Sequence, residues 1–140
     1  MMVIDEKGLL EAAYGALKHA YAPYSGFCVG AALLAASGHV YTGCNIENAS
    51  FGVTNCAERT ALFKAVSEGE RAFCAIAVVG GSAGEVTNLC PPCGVCRQAL
   101  SEFCNGELLV LLSDGEQICR YTLGELLPAS FDLHSEKGAI

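Results

Sequence analysis

Three side chains that can do chemistry stand within four positions of one another in the segment NCAERTALFKAV, residues 55–66. Cys56 offers a thiolate, Glu58 a carboxylate and Arg59 a guanidinium, just before the sequence takes on the pattern of an amphipathic helix. Helix N-termini carry unpaired N–H groups and the positive end of the helix dipole, which stabilise the thiolate form of cysteine that binds zinc. The start of this predicted helix is therefore a candidate site.

A second group of thiols lies in PCGVC, residues 92–96. Cys93 and Cys96 are three apart at the start of another predicted helix and so share a face. Alone, the pair fits a redox site, half of a structural zinc site or two small core residues. A four-cysteine zinc site would need a second C-x-x-C, which the sequence lacks. Together with Cys56, the pair would leave one tetrahedral zinc position open, as catalytic sites do.

Glu58 and Arg59 each have two interpretations on physical grounds. Glu58 fits proton transfer to and from a zinc-bound water, but it also fits a simple complement to the helix dipole. Positions i and i+2 of a helix point about 200° apart, so Cys56 and Glu58 share a metal only at the helix tip. Arg59 fits a donor that draws negative charge from three thiolates, or else a surface ion pair.

The rest of the chain must position these groups. Helical spacing, β-branched runs and turn residues predict the order α-β-β-α-β-α-β-β-α, an α/β domain with a mixed sheet in which crossover helices follow parallel strands. The helices are predicted at 5–20, from 55 to Gly69, at 93–104 and at 123–127; the strands are predicted at 27–36, 40–46, 73–81, 107–113 and 117–122.

Composition narrows the classes of function. The 140 residues are 52% hydrophobic, enough to bury the core of one domain. No apolar run reaches the roughly 18 residues of a membrane helix, and MMVIDEKG does not fit a secretory signal. The formal charge of −7 comes without the basic patch that grips nucleic acid. We expect a cytoplasmic protein with reduced thiols that binds neither a membrane nor a nucleic-acid polymer.

The motifs together resemble a known family. A ligand with a glutamate two positions later, followed by P-C-x-x-C, is the pattern of zinc deaminases. The whole chain resembles the small homotetrameric zinc-dependent cytidine deaminases, and the matching segments keep their order and spacing. These segments are YAPYSGFCVGAALL (21–34), GCNIEN (43–48), CAERTALFKAV (56–66), PCGVCRQ (92–98) and ELLP (125–128).

The resemblance implies an activity. Cys56, Cys93 and Cys96 match the ligands of one Zn²⁺ per subunit, and Glu58 matches the proton shuttle. A metal-bound hydroxide would attack C4 of cytosine, while Glu58 protonates N3 and then helps ammonia to leave. The implied reaction converts cytidine and 2′-deoxycytidine to uridine and 2′-deoxyuridine in pyrimidine salvage. The implied fold is a single domain over 1–140, with a five-stranded mixed sheet and helices on both faces.

The resemblance also implies how substrate is held. Asn45 and Glu47 match residues that bind the ribose hydroxyls, Phe27 matches a ring that packs on the pyrimidine, and the Ala57 backbone matches a contact to the base edge. Phe131 matches an aromatic residue that reaches a neighbouring active site within a homotetramer. A carboxylate at Glu47 would repel a 5′-phosphate, which favours a free nucleoside.

Two departures and three alternatives accompany the resemblance. Phe51 stands where many relatives have Tyr, and Cys90 is an extra thiol close to two of the matched ligands. The alternatives are deamination of a modified nucleoside or aminonucleoside antibiotic, a non-catalytic zinc-stabilised module with Cys90 as fourth ligand, and nucleic-acid editing. The ribose-binding motif and the acidic charge argue against the first and the last.

Overall fold

The computed structural model describes residues 3–133, so the ends of the predicted 1–140 domain lie outside the described residues. All predicted helices and strands are present in the predicted order. The helices are α1 (Glu6–Leu17), α2 (Ala57–Ser67), α3 (Gly94–Phe103) and α4 (Leu123–Leu126), and the strands are β1 (Phe27–Ala35), β2 (Val40–Cys44), β3 (Phe73–Ser82), β4 (Leu109–Ser113) and β5 (Ile118–Thr122). One short 3₁₀ turn, Phe51–Val53, was not predicted.

The five strands form one mixed sheet in the order β2-β1-β3-β4-β5. Only β3 and β4 pair in parallel, while the other three pairs are antiparallel. Along the sequence, α2 follows β2 and α3 follows β3, but these two strands are not adjacent in the sheet, because β1 folds back as the hairpin partner of β2 and lies between them. Since β1 is antiparallel to both, β2 and β3 still run in the same direction, and α2 and α3 begin at the same edge.

The sheet buries a core on each face, as the fold class predicts. Alternate residues of a strand point to opposite faces, so Ala32 and Leu34 meet α1 while Ala31 and Leu33 meet the α2 side. Burying a leucine side chain stabilises the fold by about 1.5–3 kcal/mol. Among residues 3–133, none of the helices has the length and apolar character to cross a membrane. All nine cysteines lie in this range and are free thiols.

A glycine in β2 sets the position of α2. A Cβ atom at Gly43 would lie 2.4 Å from the carbonyl oxygen of Ala57 and 2.5 Å from the backbone nitrogen of Ala61. Only a residue without a side chain lets the first turns of α2 approach the strand this closely. The contact fixes the end of the helix at which Cys56 stands.

Candidate metal centre and active site

Two helix tips bring three thiols together. Cys56 is the N-cap residue of α2 and Cys93 is the N-cap residue of α3, while Cys96 is fully buried in the first turn of α3. The Cys56 and Cys93 sulfurs are 3.9 Å apart, and all three sulfurs lie within 4.8 Å of one another. The three residues predicted as zinc ligands from two distant motifs therefore form one cluster.

The spacing of these sulfurs fits a zinc ion. Zinc–sulfur bonds of about 2.3 Å in a tetrahedron place neighbouring sulfurs about 3.8 Å apart, close to the Cys56–Cys93 separation. Thiolates are soft ligands that favour zinc over calcium or magnesium. Cys90 is not part of the cluster, so within residues 3–133 the cluster comprises only the three thiols. The donor set leaves one tetrahedral position for a further ligand.

Arg59 lies against the cluster. Its Nη2 donates a hydrogen bond of 3.2 Å to the Cys56 sulfur, which is the contact that the charge-drawing interpretation requires. The pKa of Cys56 lies well below its usual value because the Cys96 thiol and the Arg59 guanidinium both donate to it. The hydrogen bond to the neighbouring Cys56 thiolate, together with burial, raises the pKa of Cys96. Of these two thiols, Cys56 is therefore the one that ionises more readily.

Glu58 is almost completely buried beside the thiols. Only 4% of its surface is exposed, and burial, helped by the negative charge of Cys56, raises the pKa of its carboxyl group to about 7. General acid–base groups work best when their pKa lies near the operating pH. A carboxylate that only complemented the helix dipole would be expected at the surface. The burial of Glu58 favours the proton-transfer interpretation.

A cavity of about 270 Å³ opens beside these groups. Four of the residues predicted to bind substrate line it together with Glu58 and two of the clustered cysteines. The lining includes Phe27, Asn45, Glu47, Ala57, Glu58, Cys56 and Cys93, as well as Ser25, Val29, Thr54, Asn55, Cys90 and Pro91. The volume suits a small molecule rather than a polymer.

Asn45 and Glu47 are already engaged with the protein. Asn45 accepts a 2.8 Å hydrogen bond from the Val29 backbone N–H and donates one of 2.8 Å to the Phe27 carbonyl oxygen. Glu47 accepts hydrogen bonds from the backbone N–H groups of Tyr24 and Ser25, at 2.9 and 3.1 Å, and from the Ser25 hydroxyl. These contacts lower the pKa of Glu47, chiefly through Ser25, so the carboxylate facing the cavity is ionised. Both residues are held in fixed orientations.

Two positioning residues were missed from the sequence. The Ser25 hydroxyl donates to Glu47 and accepts a 3.0 Å bond from the Phe27 N–H, so it links two predicted substrate contacts. Arg97 donates to the carbonyl oxygens of Pro92 and Leu126, at 2.7 and 2.6 Å, and ties the start of α3 to the end of α4. Both lie in motifs that carried the resemblance, but both partners of Arg97 and one partner of the Ser25 hydroxyl are backbone atoms, which no residue type encodes.

Phe131 and Phe51 lie outside the cavity. Phe131 is 68% exposed and Phe51 is 82% exposed, and neither lines the cavity as the described residues form it. Phe51 instead lines a neighbouring open groove of about 350 Å³, which shares Ser25, Glu47 and Thr54 with the cavity. Within a single copy of the chain, Phe131 is therefore separate from the predicted substrate contacts.

The fold and the thiol cluster define an α/β protein with a zinc site at paired helix N-termini. The family model for the cytidine and deoxycytidylate deaminase zinc-binding region matches residues 4–112. The chain belongs to this family, and the resemblance to zinc-dependent cytidine deaminases drawn from the sequence is confirmed. The zinc-binding region of the family and the three-cysteine cluster together fit Zn²⁺ binding.

Known relatives agree with this assignment. The chain is 50% identical over 129 residues to a cytidine deaminase of Sporosarcina psychrophila, covering 91% of this chain and 92% of the relative. It is 51% identical over 129 residues to one of Halalkalibacterium halodurans, covering 91% and 95%. A crystal structure of cytidine deaminase from Burkholderia pseudomallei matches with a TM-score of 0.84 at 47% identity, covering 91% of this chain and 100% of that one.

Proposed function

We propose that this protein hydrolyses cytidine and 2′-deoxycytidine to uridine and 2′-deoxyuridine with release of ammonia. The observation that carries the proposal is a buried glutamate with a pKa near neutrality beside three clustered thiols, on one wall of a nucleoside-sized cavity. Relatives at 50% and 51% identity bear the name cytidine deaminase. This activity belongs to pyrimidine salvage.

Cys56, Cys93 and Cys96 would hold one Zn²⁺ per subunit. A Zn²⁺ ion held there supplies Lewis-acid chemistry, which makes water nucleophilic near neutral pH. Arg59 donates to the Cys56 sulfur and draws off part of the excess negative charge of three thiolates. It acts through the thiols as a positioning residue and does not touch the substrate.

Glu58 moves the protons of the reaction. It takes a proton from the attacking water and delivers it to N3 of the cytosine, and then carries the second proton to the departing amine. The C4–O bond forms and the C4–N bond breaks, so cytidine and water become uridine and ammonia. A carboxyl group whose pKa is near 7 can both accept and release these protons at neutral pH.

Substrate binding rests on the other cavity residues. Asn45 and Glu47 would hydrogen-bond the ribose hydroxyls, Phe27 would pack on the pyrimidine ring, and the Ala57 backbone would contact the base edge. A nucleoside that lacks the 3′-hydroxyl, which cytidine and 2′-deoxycytidine share, would leave one of these polar groups without its partner, and the site would discriminate against it. The ionised Glu47 also disfavours a 5′-phosphate, so a free nucleoside is the substrate.

We further propose a cytoplasmic homotetramer in which Phe131 completes the active site of a neighbouring subunit. The large exposed aromatic surfaces of Phe131 and Phe51 support an interface between copies of the chain. Nine free thiols support a reducing compartment. Sedimentation analysis of the purified protein tests the assembly, and a monomer that turns over cytidine at full rate would contradict it.

One assay tests the activity. Purified protein containing zinc should convert cytidine to uridine with one ammonia per turnover, and Glu58→Gln should lower kcat by about 1,000-fold while zinc stays bound. Glu68→Gln, at an exposed position just after α2, is the matched control and should leave kcat unchanged. An absence of turnover in the zinc-loaded protein would reject the proposal.

A metal analysis separates catalysis from a structural role. If the site were a closed structural one with Cys90 as the fourth ligand, Cys90→Ala would lose the metal. We expect Cys90→Ala to retain zinc, because Cys90 is not part of the three-thiol cluster among the described residues. Loss of zinc from this variant would favour the non-catalytic module.

A further inference from the structure

A thiol outside the proposed metal ligands forms part of the cavity wall. Cys90 lines the cavity together with Phe27, Val29 and Glu58, and it packs against the core on the α2 side of the sheet. The proposed chemistry gives Cys90 no role. Its position in the wall of the pocket nevertheless affects how much space the substrate has.

Gly80 creates the space that Cys90 occupies. A Cβ atom at Gly80 would lie 2.9 Å from the Cys90 sulfur, 3.1 Å from Cε2 of Phe27 and 3.1 Å from Cγ2 of Val29. Gly80 pairs directly with Val29 across β1 and β3, so these groups share one face of the sheet. Three side chains of the cavity wall therefore converge on the bare backbone of one glycine.

Of these side chains, Cys90 has less room to move than Phe27. Phe27 also borders a second cavity of about 210 Å³, lined in part by Gly80, Gly81 and Leu89, whereas Cys90 does not line that cavity. Cys90 has the core behind it and Gly80 beside it. A bulky group pressing on this wall would meet resistance chiefly at the Cys90 sulfur.

The chemistry of cytosine assigns an edge of the base to this wall. The ring has a polar edge, made by O2, N3 and the amine, and one apolar edge, made by C5 and C6. The three side chains that converge on Gly80, those of Phe27, Val29 and Cys90, form an apolar stretch of the cavity lining, and other lining residues such as Glu58 and Asn55 carry polar groups. Burying a polar atom without a hydrogen-bond partner costs free energy, so the apolar C5–C6 edge belongs against the apolar wall.

We propose that Cys90, seated in the space left by Gly80, is a specificity-determining residue that limits the size of the substituent accepted at C5 of the pyrimidine. This inference rests on the proposed function, since it takes a cytosine nucleoside as the substrate. A group about the size of one methylene at such a wall changes discrimination by roughly 10–200-fold.

Binding and turnover of paired nucleosides test the inference on zinc-loaded protein. The probes are Kd values for uridine and 5-bromouridine by calorimetry, and kcat/KM for cytidine and 5-bromocytidine. Each pair gives a ratio of the bromo nucleoside to its unsubstituted partner, one of Kd values and one of kcat/KM values. We expect Cys90→Ala to shift both ratios by about 10-fold in favour of the bromo nucleosides, and the larger Cys90→Val to shift them by about 10-fold against these nucleosides. Comparing ratios between variants cancels the electronic effect of bromine.

A double variant isolates the contact. Gly80→Ala should disfavour the bromo nucleosides as Cys90→Val does, because the new methyl group pushes the sulfur into the cavity. Gly80→Ala combined with Cys90→Ala should return the ratios close to those of the wild type. Cys119→Ala, on the edge strand β5, is the matched control and should change neither ratio.

The outcomes separate this inference from the proposed function. If Cys90→Ala and Cys90→Val both keep the ratios within about twofold of the wild type, the inference is wrong. If the wild type binds the nucleosides but does not turn over cytidine, the proposed function fails and the Kd ratios decide the role of Cys90. If no nucleoside binds, both are overturned.

Discussion

The helices of this protein begin in two different ways. At the start of α1, the side chain of Asp5 accepts a 3.0 Å hydrogen bond from the Gly8 N–H, and at the start of α4, Thr122 and Glu125 form a capping box. By contrast, α2 and α3 begin at Cys56 and Cys93, and within residues 3–133 neither side chain makes a capping hydrogen bond. The capped helix starts stabilise the fold, and the uncapped ones present thiols to the candidate metal site.

Tertiary contacts, rather than capping hydrogen bonds, hold the starts of α2 and α3 in place. A polar N-cap is worth about 1 kcal/mol, which α2 and α3 forgo. The close approach at Gly43 fixes α2, and the hydrogen bonds of Arg97 to Pro92 and Leu126 fix α3. Support from tertiary contacts leaves the helix tips themselves free for chemistry. Four measurements test this contrast.

The largest effect is expected at Cys56. Because serine is a better N-cap than cysteine but a much poorer zinc ligand, Cys56→Ser separates the two kinds of helix start. We expect zinc affinity to fall by at least about 100-fold and turnover to disappear, as measured by chelator competition and ammonia release. The metal-free variant should unfold at no lower temperature than the metal-free wild type. Unchanged zinc affinity would remove Cys56 from the metal site.

The next effect concerns the buried Glu58 and pH. Burial raises its pKa from an ordinary 4.5 to about 7, so between these values the folded protein binds more protons than the unfolded chain. The contribution of Glu58 to stability therefore falls as pH rises through this window. The free energy of unfolding of metal-free Glu58→Gln, measured relative to metal-free wild type, should rise by on the order of 3 kcal/mol between pH 4.5 and pH 7. The free energies of unfolding are measured by urea denaturation at several pH values. If they change with pH in the same way in Glu58→Gln and in wild type, the carboxyl group is not buried as described.

A smaller effect is expected at Arg59, which donates a hydrogen bond to the Cys56 sulfur. Arg59→Gln should keep zinc bound but lower kcat by about 10-fold, since part of the thiolate charge is no longer drawn off. Arg120→Gln is the control, because Arg120 pairs with Glu6 at the surface of the other face. Unchanged turnover in Arg59→Gln would make Arg59 a packing residue.

The smallest effect is expected at the capped start of α1. Asp5→Ala removes the hydrogen bond to Gly8 and should lower the free energy of unfolding by about 1 kcal/mol. Zinc content and kcat should stay as in the wild type, because α1 packs on the opposite face of the sheet from α2. A loss of zinc in this variant would break the distinction between the two kinds of helix start.

Much of the fold was predictable because the periodic signals are long. The apolar run of β1 and the helical spacing in α1 identify their elements without further information. The order of strands was not predictable, because the sequence does not encode that β1 lies between β2 and β3. The 3₁₀ turn at Phe51–Val53 was missed because three residues are too few to show a period.

Some features of the candidate site were also predictable from the sequence, and others were not. Cys56, Cys93 and Cys96 were predicted as a group because two short motifs, each at a predicted helix start, carry complementary chemistry. The burial of Glu58 was not visible from its position in a first turn, where exposed glutamates are common. Arg97 was missed because it contacts backbone carbonyl oxygens, which every residue type offers equally, and Ser25 because its hydroxyl joins the Glu47 side chain to a backbone N–H about twenty positions away.

The two hydrogen bonds of Asn45 bear on how this protein can diversify. Asn45 is proposed to hold the sugar, yet its side-chain amide also forms hydrogen bonds to the backbone of Phe27 and Val29, on either side of Cys28. A substitution that adapts Asn45 to a different sugar would also remove the hydrogen bonds that hold the start of β1, where Phe27, the ring proposed to pack on the pyrimidine, stands. The proposed roles of Asn45 and Phe27 would therefore link sugar preference and base preference through a single amide, whereas a change at Cys90 would leave that amide untouched.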